Sequence, residues 1–387
     1  MPNYDPRTGR IINEADSRWF VSENRLNRDQ IDALKEIEKM INGNRQNLWI
    51  KGFAGSGKSI LLVHAAKKVL SAKPNARIVL IVYTQSLVEM FKTALRELGL
   101  RIPVMTYFAF MSSSASFDYI LCDEVQDLTP KVLNRMYERS DHLVVAGDSN
   151  QSIYKEDPRW RESTVSVSQI PSIIHGDGLN LTIIERLTES LAKAVKALTH
   201  LNIFSNKINL NTTDTKVSLC QAISPNSEIS YVINNATRVS QRGYTAAILV
   251  PTQKKIVEFV NSALQSLGKQ TWNSTTNEYG RVDFGSMNAH LKNQGVRMQY
   301  VGNGYGSFKD DNDYIVLMTY HSSKGLDFDY VYMPYCNRNL WISYDNSKTL
   351  FMVAMTRARM NLYITYTGYP HEYVQYFASE CSSRQIQ

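Results

Sequence analysis

The sequence predicts an α/β protein of two lobes, each a parallel sheet flanked by helices. Three observations carry this. Apolar runs of strand length, such as IVLIVY at 78–83, lack polar alternation, the mark of a strand buried on both faces. Segments with apolar residues at helical spacing, such as SILLVHAAKKVL at 59–70, separate these runs. The alternation then restarts after 179–200, so a second sheet is expected. Length agrees, since 387 residues at ~150 per domain allow two or three domains.

Taken in order, residues 1–25 are polar and carry Pro2, Pro6 and Gly9, so a loosely ordered lead-in is expected. The first lobe is assigned to 26–178. Within it NLWIKG (47–52) reads as a strand and SILLVHAAKKVL as the helix that follows. ARIVLIVYT (76–84) is a buried strand, SLVEMFKTALREL (86–98) a helix, and FDYILCDE (117–124) and HLVVAGD (142–148) two further buried strands. The second lobe is assigned to 179–387. TKVSLCQA (215–222) and TAAILVPT (245–252) are its first strands, with a helix between them, and QKKIVEFVNSALQSLG (253–268) is an amphipathic helix. The stretch 269–312 is rich in Asn, Gly, Ser and Tyr, and is expected to be a reduced insert of low regular structure. Inside it GVRMQYVGNGYGSF (295–308) reads as a hairpin, either plain surface or touching a bound strand. DYIVLMTYH (313–321), DYVYMPYC (329–336) and MNLYITYT (360–367) return to strand character.

Composition narrows the function classes. Hydrophobic residues at 43% and charged residues at 20% are globular values and exclude a disordered or fibrous chain. The four cysteines lie far apart with no CxxC pair, against a disulfide framework or a zinc site and in keeping with a reducing cytoplasm. No apolar run approaches the ~18 residues of a membrane span, and no secretory signal is visible, so a cytoplasmic location is expected. The net charge of +7 is a mild basic excess, compatible with a polyanionic partner.

GFAGSGKS, Gly52 to Ser59, fits G-x-x-x-x-G-K-[ST], follows a strand and opens a helix. The chemistry needs these residue types. Gly52, Ala54, Gly55, Ser56 and Gly57 let backbone N–H groups turn inward around phosphate, and the helix N-terminus adds positive potential. Lys58 is expected at the β and γ phosphates and Ser59 at Mg²⁺. About sixty-five residues later YILCDEVQD (119–127) is an apolar strand ending in acids. Asp123 is expected to bind Mg²⁺ through water, and Glu124 to polarise the attacking water.

The order of motifs resembles the superfamily 1 helicases of the UvrD/Rep/PcrA-like group, over roughly residues 26–367. The resemblance implies two RecA-like P-loop lobes with an ATP cleft between them. Gln30 in NRDQIDAL is similar to the family's adenine-reading glutamine. Tyr83 in VYTQSLV, and Thr106 and Phe108 in TYFAF, match positions that lie along single-stranded DNA. GDSNQSIY (147–154) resembles the sensor motif, which implies Gln151 near the γ phosphate and Tyr154 at the strand. Arg186 in IIERLT falls where an arginine meets that phosphate. TYHSSKGLDFD (319–329) implies Thr319 and His321 on the strand path and Gly325 at the nucleotide. VAMTRAR (353–359) implies Arg357 as an arginine finger. Without the family context His321 also reads as a core histidine, and Arg357 and Arg359 as surface charges.

Departures are as informative. Glu185 stands where relatives carry a tyrosine that stacks on adenine. Glu156 stands where they carry an aromatic that stacks on DNA, so either Trp160 takes over or a platform worth ~1–3 kcal/mol per base is lost. Asp327 replaces a glutamate. Only about forty residues separate Tyr83 from Asp123, too few for an accessory domain at the usual minimum of ~50. A compact two-lobe motor is expected, with ATP and Mg²⁺ as cofactors, single-stranded DNA as track and 3′-to-5′ travel. A backbone grip is also compatible with RNA. A partner protein such as a nuclease is expected to supply what the inserts provide elsewhere. The alternative is a nucleotide-gated, DNA-triggered regulatory ATPase subunit of such a partner.

Overall fold

The computed structural model describes residues 21–43, 47–148, 155–157, 159–185, 187–200, 207–208, 214–308, 315–343 and 345–387. The chain divides into two compact units, Met1–Arg186 with Asn206–Asn209, and Leu187–Ser205 with Leu210–Gln387. Each is an α/β unit around a fully parallel sheet.

In the first unit α1 (Arg28–Asn42) leads to β1 (Asn47–Gly52), α2 (Lys58–Ala72), β2 (Ile78–Val82) and α3 (Gln85–Glu97). Then come β3 (Val104–Thr106), α4 (Tyr107–Ser112), β4 (Phe117–Cys122), α5 (Pro130–Glu138) and β5 (Ser140–Gly147). The sheet closes with α6 (Ile170–Ile174) and β6 (Gly176–Leu181), while β7 (Ile183–Ile184) pairs separately with β8 (Lys207–Ile208). Strand order is β3-β2-β4-β5-β1-β6. β5 therefore stands between β1, which feeds the phosphate loop, and β4, which ends in the acids. All five residues of β2 are buried, as its unbroken apolar run requires. Val79, Ile81, Ile120, Cys122, Leu143 and Val145 form one face of the core, against Phe110, Val132, Leu133, Met136, Ile170 and Ile174 from α4, α5 and α6.

The helix starts are written in the sequence. Asn27 and Gln30 form a capping box on α1; Thr84, Thr106 and Thr129 cap α3, α4 and α5. The three threonine caps fix where the chain passes into helix after β2, β3 and β4, and the turns after β1, β2, β3 and β4 carry the candidate site residues.

The second unit contains α7 (Glu189–Thr199), β9 (Lys216–Ala222), α8 (Pro225–Ser240), β10 (Ala246–Val250) and α9 (Gln253–Ser266). It continues with α10 (Phe284–Asn293), β11 (Met298–Tyr300), β12 (Ile315–Thr319) and β13 (Phe328–Met333). α11 (Ser347–Met355), β14 (Ala358–Thr367), α12 (Glu372–Phe377) and β15 (Ser382–Ile386) complete it. Strand order is β11-β12-β10-β13-β14-β9-β15. Ala246, Ile248 and Val250 pack with Val232, Phe259 and Met287 from α8, α9 and α10.

One expectation is refined and one is corrected. The described part of the stretch 269–312 is mostly irregular, as expected, but it is not without regular elements, since it holds α10 and β11. The segment 295–308 is not a hairpin: β11 pairs in parallel with β12, and only Gly302 and Tyr305 close a tight antiparallel bridge. A three-residue strand carries too little periodicity to be read, and its Asn- and Gly-rich neighbours conceal it.

Candidate functional site

The loop after β1 is built around cations and amides. Lys58 is buried, and its Nζ donates to the Gly52 and Phe53 carbonyls at 2.8 and 3.1 Å. Among the described residues no carboxylate forms an ion pair with it. Gly57 takes φ +87° at the N-cap of α2, whose first turn has no side-chain cap. A Cβ there would fall 2.2 Å from Gln30 Nε2. Gln30 is buried; its Nε2 donates to the Ser56 carbonyl at 2.9 Å and its Oε1 accepts from Asn27 N–H at 2.9 Å. The Gly55 carbonyl accepts from Glu185 N–H at 2.9 Å, and Asn27 Nδ2 donates to Glu185 Oε1 at 2.5 Å. Ala54 is buried, and the Ser56 hydroxyl is buried with no hydrogen-bond partner among the described residues. An uncapped helix start, a lysine satisfied only by carbonyls and an orphaned buried hydroxyl are donors suited to a polyphosphate.

Ser59 Oγ donates to Asp123 Oδ2 at 2.5 Å, so the two expected Mg²⁺ residues already meet. Burial, with the adjacent Glu124 charge, pushes the Asp123 carboxyl up to about 6; Ser59 and Lys58 oppose this. A bound divalent cation would relieve that unfavourable charge, so the pair fits Mg²⁺. Glu124 sits in the left-handed region at φ 57° and is buried. Its Oε2 accepts from Gln126 Nε2 at 2.5 Å, and Gln126 Oε1 accepts from Asp148 N–H at 3.0 Å. Gly147 makes that reach possible, because a Cβ there would meet Gln126 Oε1 at 2.4 Å and Val125 Cγ1 at 2.8 Å.

At the ends of β2 and β3 aromatic rings gather. Tyr83 stacks on Tyr107 with centroids 4.9 Å apart, and Trp160 sets its edge against Tyr107 at 5.8 Å. Phe108, 41% exposed, lies 6.4 Å from the Trp160 ring and carries the Arg159 guanidinium 3.9 Å from its centroid. Lys131 Nζ lies 5.8 Å from the Trp160 ring. Thr106 Oγ1 accepts from Ala109 N–H at 3.3 Å and is buried, so its described role is the cap of α4. Burial and the hydrogen bond to Asp157 push the Tyr107 phenol far above its ordinary range, so it stays a donor.

In the second unit Thr319 ends β12. Its Oγ1 donates to Ser322 Oγ at 3.0 Å and accepts from Ser322 N–H at 3.2 Å. His321 is half-buried, and burial with nearby Lys324 pulls its pKa below the ordinary value, so the ring is neutral at pH 7. Gly325 turns the chain at φ 78°. Arg357 is wholly buried. Its Nε donates to the Val353 carbonyl at 2.7 Å, Nη1 to the Leu326 carbonyl at 3.0 Å and Nη2 to Thr356 Oγ1 at 2.8 Å. It is thus not the surface charge its context allowed, and to act on a phosphate its side chain has to exchange these partners. Arg359 pairs with Asp327 at 2.5 Å. Gln151, Tyr154 and Arg186 lie outside the described residues.

Three family descriptions match the chain in order. The type III restriction enzyme res subunit matches residues 23–102, the UvrD/REP helicase N-terminal domain residues 109–169, and the UvrD-like helicase C-terminal domain residues 288–369. The chain belongs to the UvrD-like superfamily 1 helicases. No curated protein matches it significantly.

The first unit of this helicase brings together Gln30, the phosphate loop, Asp123 and Glu124, and separately Tyr83, Phe108 and Trp160. Motif reading passed over three residues that organise these groups. Gln126 lies inside DEVQD, two residues from Glu124, and its role shows only through the close approach of Gly147. Tyr107 sits between Thr106 and Phe108, where its burial was not legible. Asp157 reads as one more charge in the polar run KEDPRWR, yet it is completely buried.

Proposed function

We propose that this helicase is an ATP-driven motor on single-stranded DNA, travelling 3′ to 5′, with RNA as a second possible track. One observation carries the ATP part: a lysine held only by carbonyls and an unpartnered serine hydroxyl line a loop whose helix also presents Ser59 to a buried aspartate. Lys58, the loop amides and Ser56 bind the phosphates, and Gln30 orients the loop from behind through Ser56. Ser59 and Asp123 hold Mg²⁺, which when bound neutralises charge on the phosphate oxygens. Glu124, aimed by Gln126, accepts a proton from the attacking water as its oxygen bonds to phosphorus and the bond to the leaving ADP oxygen breaks. Gln151, Arg186, Arg357 and Gly325 complete the nucleotide set. Tyr83, Thr106, Phe108, Tyr154, Trp160, Thr319 and His321 form the strand set.

The 3′-to-5′ direction rests on the SKGL and TRA forms of the two motifs in the second unit. The regulatory alternative rests on size. Residues 84–122 are taken up by α3, β3, α4 and β4, with no room for an accessory domain. Among the described residues no helix is long and apolar enough to cross a membrane.

The test is ATP hydrolysis with and without single-stranded DNA and RNA, for wild type and Lys58→Ala. Strand-stimulated hydrolysis that Lys58→Ala abolishes supports the motor. A wild type as inactive as the mutant under every condition refutes it. Strand displacement by the purified chain then separates the motor from the regulatory subunit.

A further inference from the structure

The strand-binding reading leaves open what holds the aromatic cluster, in a chain that has Glu156 where a stacking ring is expected. The segment after β5 answers this. Asp157 is completely buried. Its Oδ2 accepts from Tyr107 Oη at 2.7 Å, and its Oδ1 accepts from the backbone N–H groups of Arg159 and Trp160 at 2.8 and 3.0 Å. Its own N–H donates to the Glu162 carbonyl at 2.8 Å, and its carbonyl accepts from Arg161 N–H at 2.8 Å. The carboxylate thus closes a tight turn onto itself and ties that turn to the first residue of α4.

The consequence is geometric. Tyr107 is already fixed by stacking on Tyr83 at 4.9 Å. Asp157 copies that fixed position onto Arg159 and Trp160, which set a guanidinium and an indole against exposed Phe108. Burying a carboxylate without an ion pair is costly, and charge-assisted donors are what make it tolerable. A turn needing only closure is served by neutral Asn or Ser. Here the acid also grips a hydroxyl 50 residues away. Planar groups held in a preset arrangement, with Phe108 and Arg159 exposed, are what a nucleic-acid base stacks on at low entropic cost.

We infer that Asp157 is a positioning residue that, through Tyr107 and the backbone of Arg159 and Trp160, presets a platform for the bases of single-stranded nucleic acid. The inference rests on the strand-binding reading above.

The experiment compares equilibrium binding of the full chain to oligo(dT) and to an abasic oligonucleotide of equal length. Wild type is expected to prefer oligo(dT) by roughly 5- to 150-fold, the range that ~1–3 kcal/mol of stacking gives. Trp160→Ala is expected to remove most of that preference, and Asp157→Ala to do so while keeping the abasic affinity. Tyr107→Phe, which removes one hydroxyl, is expected to remove part of it. Where Asp157→Ala fails to fold, Tyr107→Phe and Asp157→Asn decide. A purely structural role lowers the affinity for both oligonucleotides alike, and that outcome overturns the inference, as does an unchanged ratio in folded variants. If wild type binds neither oligonucleotide, the strand-binding reading itself fails, and the inference with it.

Discussion

Gln126→Ala isolates the link between the acidic motif and the end of β5. The wild-type amide donates to Glu124 Oε2 at 2.5 Å and accepts from Asp148 N–H at 3.0 Å, in a buried position. A hydrogen bond to a charged acceptor contributes ~1.5–3 kcal/mol and a neutral one ~0.5–1.5 kcal/mol, so the variant should lose about 2–4 kcal/mol of stability. The effect on hydrolysis has a different origin. Glu124 sits on a left-handed backbone position, and Gln126, two residues on and tied to Asp148 N–H just past β5, holds its carboxylate. Without that bond the carboxylate loses one of the restraints that aim it. A general base is worth ~10²–10⁴-fold, which bounds the loss, and misorientation should cost roughly 10- to 100-fold in kcat. Nucleotide affinity should change little, because Lys58 and Ser59 keep their partners. Steady-state ATPase at saturating single-stranded DNA, nucleotide binding and urea unfolding measure the three quantities, with Glu124→Gln giving the floor. A folded Gln126→Ala variant within about two-fold of wild-type kcat, beside an inactive Glu124→Gln, refutes the positioning argument. Normal hydrolysis by Glu124→Gln refutes the base assignment itself.

Three further outcomes are expected. Gly57→Ala places a Cβ 2.2 Å from Gln30 Nε2 at φ +87°; left-handed backbone costs an L residue ~1–2 kcal/mol, and the displaced amide loses Ser56, so calorimetry should find nucleotide binding weakened about ten-fold or more. Asn47 is buried, donating to the Ile174 carbonyl at 2.6 Å and accepting from Leu143 N–H at 2.8 Å, so Asn47→Ala should lower stability by about 1–3 kcal/mol in denaturant titration, and an unchanged midpoint refutes this. Burial holds the His64 pKa below 6.5, so beneath that pH the unfolded chain binds the extra proton and stability is lost as pH falls; urea midpoints at about pH 7.5 and about pH 5.5 should differ less in His64→Gln than in wild type, and an equal drop in both argues against the assignment.

Much of this helicase was legible in its sequence because the signals are local. A phosphate loop needs glycines and a lysine within a few consecutive residues, and a buried parallel strand needs an unbroken apolar run; GFAGSGKS and IVLIV satisfy both without reference to the rest of the chain. Caps such as Asn27 and Thr84 are equally local. Tertiary structure decided what depends on residues distant in sequence. Composition alone hid α10 and β11, because a three-residue edge strand is specified by its neighbour β12 more than by its own pattern. Arg357 reads as a charge, and only packing shows it buried, with bonds to two carbonyls and a hydroxyl. Asp157 and Tyr107 stand 50 residues apart, and Gln126 meets Asp148 across 22. One-dimensional spacing encodes which groups a single turn or strand can present. It does not encode which of them the fold then buries against each other, and burial is what turns an acid or an amide into a positioning device.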